Sequence, residues 1–137
     1  MLRPILAVLI SALAMFGLAG LFTGVLARSF IASNVDPSLL RPTPNLPLIF
    51  LGYLLLGAVM TLLYRRFALP TSRPALSGFK MGLLTSVAWL MPYSLVLFGV
   101  YRFPYSALPL DFAWAVVEQG IGGLLVGLIL GRGREDA

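Results

Sequence analysis

The chain consists of four long apolar stretches separated by short polar connectors. These stretches predict helices over residues 4–27, 46–64, 78–100 and 108–130. At about 1.5 Å of rise per residue, each is long enough to cross or nearly cross a hydrocarbon core of roughly 30 Å. The pattern therefore predicts an all-α membrane protein, in which four transmembrane helices form one compact bundle and a single domain, residues 1–137.

The first apolar stretch has a second interpretation, as a cleaved signal peptide. Ala12, Leu13 and Ala14 have the small-residue pattern at which signal peptides are cut. However, the apolar run continues through Leu26, which is longer than the apolar core of a signal peptide. This length favours a permanent membrane anchor.

Prolines predict where helices are interrupted. The connector at residues 28–45 cannot be one continuous helix, because proline removes a backbone donor and clashes with the preceding turn; it contains Pro37, Pro42 and Pro44. Asn45 and Pro47 predict the start of the second helix, as a cap followed by a first-turn proline. Pro92 lies inside the third helix and leaves the Ala88 carbonyl without its donor, which predicts a kink.

The composition supports a membrane protein and excludes many kinds of chemistry. Hydrophobic residues make up 59% of the chain and charged residues 11%, whereas soluble domains carry about 25% charged residues. With no cysteine and no histidine, the chain lacks thiol nucleophiles, imidazole bases and the usual ligands of zinc and haem. Asp111 and Glu118 are two helical turns apart, about 10.5 Å along the axis, so they do not form a catalytic pair. The sequence therefore predicts a non-enzymatic protein with no metal and no cofactor.

The ten basic and five acidic residues give a net charge of +5, and the basic ones lie in or beside the connectors. This placement indicates contact with the lipid bilayer and argues against nucleic acid as a partner. Three basic residues fall on one side of the membrane and seven on the other: Arg28, Arg41 and Arg102 against Arg3, Arg65, Arg66, Arg73, Lys80, Arg132 and Arg134. The excess predicts that both termini are cytoplasmic, and a short chain without a cleaved signal suits a bacterial inner membrane.

Glycines recur at helical spacing in three of the four predicted helices. They are Gly17, Gly20 and Gly24 in the first, Gly78 and Gly82 in the third, and Gly120, Gly123, Gly127 and Gly131 in the fourth. In lipid, helices associate by close backbone contact, so these positions predict helix packing. We expect the third and fourth helices to approach closely, and the first helix to meet the second near Gly52. The same glycine faces predict a homo-oligomer or a place in a larger membrane complex, with a gating contact as the functional alternative.

Two acids lie within the fourth predicted helix at different depths. Asp111 stands in the first turn, where the helix dipole favours a negative charge and Arg102 is a nearby partner. Glu118 lies near the helix midpoint, where no arginine or lysine shares its depth and a carboxyl group is costly. It is either a proton or cation site or a neutral hydrogen-bonding post. The polar groups at its depth are Tyr53, Ser86, Trp89, Tyr93 and Ser94.

The fourth helix is expected to have protein on both sides. Asp111, Trp114, Glu118 and Gly122 share one face by steps of three and four residues, whereas the glycines project from roughly the opposite face. Neither an acidic face nor a glycine face suits lipid. We therefore expect this helix to be central in the bundle, or to use one face for an oligomer contact or a cavity.

The string from Trp114 to Gly123, W-A-V-V-E-Q-G-I-G-G, resembles the last helix of uncharacterised small bacterial membrane proteins. The resemblance extends to Gly52 and Tyr53 of the second helix and to the Gly-x-x-x-Gly that opens the third. It implies a four-helix integral membrane protein and brings no activity with it. Small multidrug transporters are similar in having four helices and one membrane glutamate, but theirs lies in the first helix, where this chain has no acid.

Two functional hypotheses follow. The first is a structural or accessory module that associates with itself or with a larger complex through its glycine faces. The second is a small transporter or channel, proton-coupled through Glu118 and bent at Pro92, with aromatic residues lining a pocket for a cationic or amphiphilic solute. The candidate proton or ligand site consists of Glu118, Gln119, Asp111, Tyr53, Trp89, Tyr93 and Trp114.

Overall fold

A computed structural model describes residues 2–68 and 72–131 of the chain. Within these ranges the protein consists of helices and connectors, without a β-strand. Four helices are long and apolar enough to cross a membrane: α1 (Leu2–Leu26), α2 (Leu46–Phe67), α3 (Pro74–Val100) and α4 (Tyr105–Gly131). The predicted fold class is confirmed, and the chain is a small multi-pass integral membrane protein. Arg132 and Arg134, which entered the charge count, lie outside the described residues, and the cytoplasmic location of the termini stays a prediction.

The first residues of α2 and α3 explain where these helices begin. The Asn45 side chain accepts a hydrogen bond from the Leu48 backbone N–H at 3.1 Å, and a proline occupies the first turn, as predicted. α3 begins at Pro74, one turn before the predicted Gly78, because a first-turn proline has no N–H to leave unsatisfied. α2 also runs past its predicted end, to Phe67.

The connector between α1 and α2 starts with a short helix that the sequence did not predict. Residues Arg28–Asn34 are helical, and extended backbone follows at Val35. The first proline of the connector is Pro37, after this helix has ended, so prolines interrupt the helix only in the later part of the connector. There the Asp36 carboxylate accepts the Ser38 backbone N–H at 2.8 Å, and this bond holds the pKa of Asp36 below its usual range.

Two of the long helices contain a π-helical turn. In α1 it spans Phe22–Leu26, and the Ala27 N–H bonds back to the Phe22 carbonyl at 2.7 Å. In α3 it spans Ser86–Leu90, just ahead of Pro92. Proline has no backbone N–H, so one hydrogen bond of the regular α-helix cannot form near Pro92. The backbone before Pro92 adopts the wider π-helical turn. The interruption expected at Pro92 thus takes the form of a π-helical turn.

α4 lies at the centre of the bundle and packs against α1, α2 and α3. α1 also packs along α2, whereas α2 and α3 make few contacts with each other. Of the arrangements expected for the fourth helix, the central one is found. The buried apolar core is small and includes Met15, Met60, Tyr64 and Val126. Most other large apolar side chains face outward, as suits helices whose surroundings are lipid.

Candidate functional site

The Glu118 carboxyl group lies inside the bundle, and the residue is 6% exposed. Its Oε2 atom accepts a hydrogen bond from the Tyr53 hydroxyl at 3.3 Å, and its Oε1 atom accepts one from the Gln119 side-chain amide at 3.1 Å. Each carboxyl oxygen therefore has a donor from the chain. Of the five polar groups expected at this depth, Tyr53 is the one that bonds to Glu118 among the described residues.

Tyr53 is held in position by the packing of α1 on α2. Its ring meets the Phe16 ring edge-on, with the centroids 6.2 Å apart, and Phe16 meets Phe50 in the same way at 5.5 Å. Edge-to-face geometry is a preferred arrangement of aromatic pairs. These contacts restrict the Tyr53 ring and so direct its hydroxyl towards Glu118.

The Glu118 face of α4 packs closely against α1. Trp114 stacks on Phe22, with the ring centroids 4.6 Å apart and 14° between the ring planes. Gly122, one turn after Glu118, packs directly on the Met15 side chain, and a Cβ atom there would lie 2.6 Å from the Met15 sulfur. The two contacts, one on each side of Glu118, fix its position between α1 and α2.

The opposite face of α4 forms a close backbone contact with α3, which we call the glycine seam. It consists of Gly78 and Gly82 of α3 and Gly120, Gly123, Gly127 and Gly131 of α4. A Cβ atom added at most of these positions would overlap the backbone of the facing helix, which cannot move aside as a side chain can. At Gly120 it would meet the Phe79 ring, and at Gly131 the Pro74 ring. The predicted close approach of the third and fourth helices is therefore present, with backbone packed against backbone.

The glycines of α1 make no such contact within the described chain. A Cβ atom added at Gly17, Gly20 or Gly24 would have no neighbouring atom within 4 Å, and the same is true of Gly52 in α2. The first and second helices do meet near Gly52, as predicted, but through Phe16, Phe50 and Tyr53 and not through these glycines. The reason is the rotation of the helix, since α1 turns a different face towards its neighbours: Ala7, Ser11, Ala12 and Met15.

Sequence reasoning missed one packing glycine. At Gly57 of α2 a Cβ atom would lie 2.8 Å from the Ser11 hydroxyl oxygen and 3.0 Å from the Val8 carbonyl oxygen. The available signal was a second stripe of small residues in the first helix, formed by Ala7, Ser11 and Ala12, which is the stripe that Gly57 faces. α1 thus packs on α2 through its stripe of alanine and serine and not through its glycines.

A cleft of about 800 Å³ separates α2 from α3 on the outside of the bundle. Tyr53, Trp89 and Tyr93, three of the predicted site residues, come together in its lining. Trp89 is 65% exposed and Tyr93 53% exposed, so this aromatic wall faces the surrounding lipid. Tyr53 connects the cleft with Glu118, because its ring lines the cleft while its hydroxyl bonds to the carboxyl group.

Asp111 is not part of this arrangement. It is half-buried and lines a separate cavity of about 300 Å³ together with Phe22, Ser94 and Phe103. Arg102, its expected partner, is exposed and does not line this cavity. Asp111 therefore lines a different cavity from the cleft that contains Tyr53, Trp89 and Tyr93.

Some buried polar atoms have no hydrogen-bond partner within the described part of the chain, among them Thr61 Oγ1, Ser86 Oγ and Gln119 Oε1. Gln119 is completely buried, and its amide nitrogen donates to Glu118 while its oxygen is unpaired. A buried polar atom left unpaired lowers the free energy of unfolding by about 1–3 kcal/mol. The bond to Glu118 removes this cost for the Gln119 amide nitrogen.

The arrangement provides one carboxyl group between two neutral donors. Such a group accepts hydrogen bonds, takes up a proton or faces a cation. Among the described residues, no three side chains of the types that bind metals come together. Comparison of the chain with family models, with curated proteins and with solved structures gives no match.

Proposed function

We propose that the protein is a non-enzymatic structural or accessory module of the membrane. In it, α4 holds the other three helices in place, and Glu118 is a neutral hydrogen-bonding post between them. The observation that carries the proposal is the internal bonding of Glu118, whose two carboxyl oxygens both accept hydrogen bonds from the chain itself. A buried polar group that is satisfied in one arrangement of helices opposes every arrangement that leaves it unpaired. We further propose that the module lies in a bacterial inner membrane, and the charge distribution of its connectors supports an orientation with both termini in the cytoplasm.

The surface that we propose for association is the outward glycine face of α1, formed by Gly17, Gly20 and Gly24. These glycines have open space beside them. Close contact through small residues is a main route by which helices associate in lipid. Two copies with the same orientation would meet through the same face of each, as in a two-fold homo-oligomer.

Substitution of Glu118 in the full-length protein in lipid tests its role as a post. Glu118→Gln keeps one acceptor oxygen, and we expect helical content and thermal stability close to those of the wild type. Glu118→Leu removes both acceptors and leaves the Tyr53 and Gln119 donors unpaired. We expect it to lower the free energy of unfolding by about 1–3 kcal/mol for each lost partner. A Glu118→Leu protein as stable as the wild type would show that Glu118 is not a post.

A second candidate function, proton-coupled transport, is favoured by one observation. Tyr53 both donates to Glu118 and lines the cleft that contains Trp89 and Tyr93. In this function an amphiphilic or cationic solute would occupy the cleft, and the Glu118 carboxyl would exchange a proton as the solute enters or leaves. Aromatic rings bind cations through their faces, which suits the lining of the cleft.

Infrared titration of the protein in lipid distinguishes the two functions. The difference between wild type and Glu118→Gln isolates the Glu118 carboxyl band and reports its protonation. Transport requires that this band change with pH and that Glu118→Gln abolish solute flux in a protein that remains folded. A band that is constant from about pH 5 to pH 9, the range in which a water-accessible buried acid titrates, is the result expected of a post.

A further inference from the structure

A second cavity continues the cleft towards the end of the bundle at which α2 ends and α3 begins. Its volume is about 420 Å³. Leu84 lines both cavities, and Leu63 of the first is one turn from Phe67 of the second on α2. The two cavities therefore form one groove between α2 and α3, which we call the lateral groove.

The lateral groove changes in character along its length. Its central part is lined by aliphatic side chains: Leu55, Leu56, Val59, Leu63 and Leu84. Its end at the start of α3 is lined by Arg73, Ser77 and Lys80, and none of the described residues that line the two cavities is acidic. The same end holds the first turn of α3, where backbone N–H groups and the helix dipole favour an anion. An apolar groove with a basic end matches a molecule with an apolar chain and a negative head.

The dimensions match those of a membrane lipid. Between Ile49 and Ala68, the two ends of the groove on α2, the helix rises about 28 Å, close to the roughly 30 Å of a hydrocarbon core. A lipid tail in one leaflet fills half of that thickness, about 15 Å. Measured from Ala68 at the basic end, this length reaches to about Ala58 and leaves the part of the cleft beside Tyr53 to the other leaflet.

We propose that the lateral groove binds an anionic phospholipid. Its phosphate contacts Lys80 and Ser77, and one acyl chain lies between α2 and α3 against Val59, Leu63 and Leu84. Basic pockets between transmembrane helices are a known mode of anionic lipid recognition. The proposal goes beyond the proposed function, because it does not involve Glu118 and holds whether that residue is a post or a proton site.

Lipid binding to the full-length protein in detergent tests the proposal by native mass spectrometry. Phosphatidylglycerol and phosphatidylcholine with identical acyl chains are compared, and we expect several-fold tighter binding of the anionic lipid. Lys80 is exposed, so Lys80→Ala should fold normally and weaken phosphatidylglycerol binding about five-fold while leaving phosphatidylcholine unchanged. Arg102→Ala, which removes an exposed charge far along the chain from the groove, should change neither lipid.

Filling the groove tests the position of the acyl chain separately. Val59 and Leu84 are partly exposed in the groove, so Val59→Phe or Leu84→Trp should weaken binding of both lipids without changing the preference between them. Three results would overturn the proposal. These are an unchanged lipid preference in Lys80→Ala, an equal loss in Arg102→Ala, and displacement of phosphatidylglycerol by inorganic phosphate at millimolar concentration.

Discussion

The Tyr53 hydroxyl bonds α2 to the buried carboxyl of α4, and its removal is a test at the scale of one atom. Tyr53→Phe keeps the ring that packs on Phe16 and deletes the donor to Glu118 Oε2. Because this oxygen is buried, we expect the free energy of unfolding to fall by about 1–3 kcal/mol, measured by thermal or denaturant unfolding in detergent. Tyr93→Phe is the matched control, since Tyr93 lines the same cleft but is exposed, and its stability should equal that of the wild type. Equal losses in the two variants would mean that the bond to Glu118 contributes nothing specific.

The depth of a residue in the membrane is predictable from its place along a helix, but its direction is not. Glu118 and Tyr53 lie near the middle of α4 and α2, so their shared depth follows from the sequence alone. Four other polar groups satisfied the same criterion, among them Trp89 and Tyr93, and these two face the outside of the bundle. What separates Tyr53 from them is the rotation of α2, which the aromatic packing with Phe16 sets and which no local pattern encodes.

The glycine seam is a property of two helices together, and it makes a prediction about steric fit. At Gly123 an added methyl group would overlap the backbone of α3, so Gly123→Ala has to push α3 and α4 apart. Overpacking of this kind destabilises by about 1–3 kcal/mol, and occasionally by more. Gly20→Ala is the matched control, because its methyl group would enter open space and alanine is the better helix former by up to about 1 kcal/mol. We expect reduced thermal stability in the first variant and unchanged or slightly higher stability in the second; the reverse order would show that α3 and α4 do not meet at the seam.

The glycines of α1 and α4 show which features of a helix can be predicted from the sequence. Spacing at three and four residues correctly placed the glycines of α4 on one face, and that face meets α3. Identical spacing in α1 placed Gly17, Gly20 and Gly24 on a face that meets nothing in the described chain. Periodicity establishes that residues share a face, whereas the partner of that face depends on the order of helices around α4. For this reason the spacing correctly predicted which glycines of a helix share a face, but it did not predict which residues form the contact between α1 and α2.

At the scale of the whole molecule, the position of α4 determines which surfaces are left for partners. Once one face of α4 is used by α3 and the other by α1 and α2, the acid and the seam are both internal. The sequence predicted protein on both sides of this helix, yet it did not show whether that protein came from the same chain. Because α4 is enclosed by its own chain, the outer surface of the described bundle is formed by the other helices, and it includes the lateral groove and the glycine face of α1.

The glycine face of α1 leads to a prediction about assembly, for which the absence of cysteine is an experimental advantage. A single Gly20→Cys introduces one thiol on that face, where there is room for it. If two copies associate through α1, residues near the two-fold axis meet their own counterparts, and a disulfide forms when the Cα atoms come within about 7 Å. We therefore expect oxidation in native membranes to give a covalent dimer of Gly20→Cys. Val96→Cys, an exposed position on α3, is the control for random collisions and should give little dimer. Equal dimer yields from the two variants would exclude α1 as the surface of association.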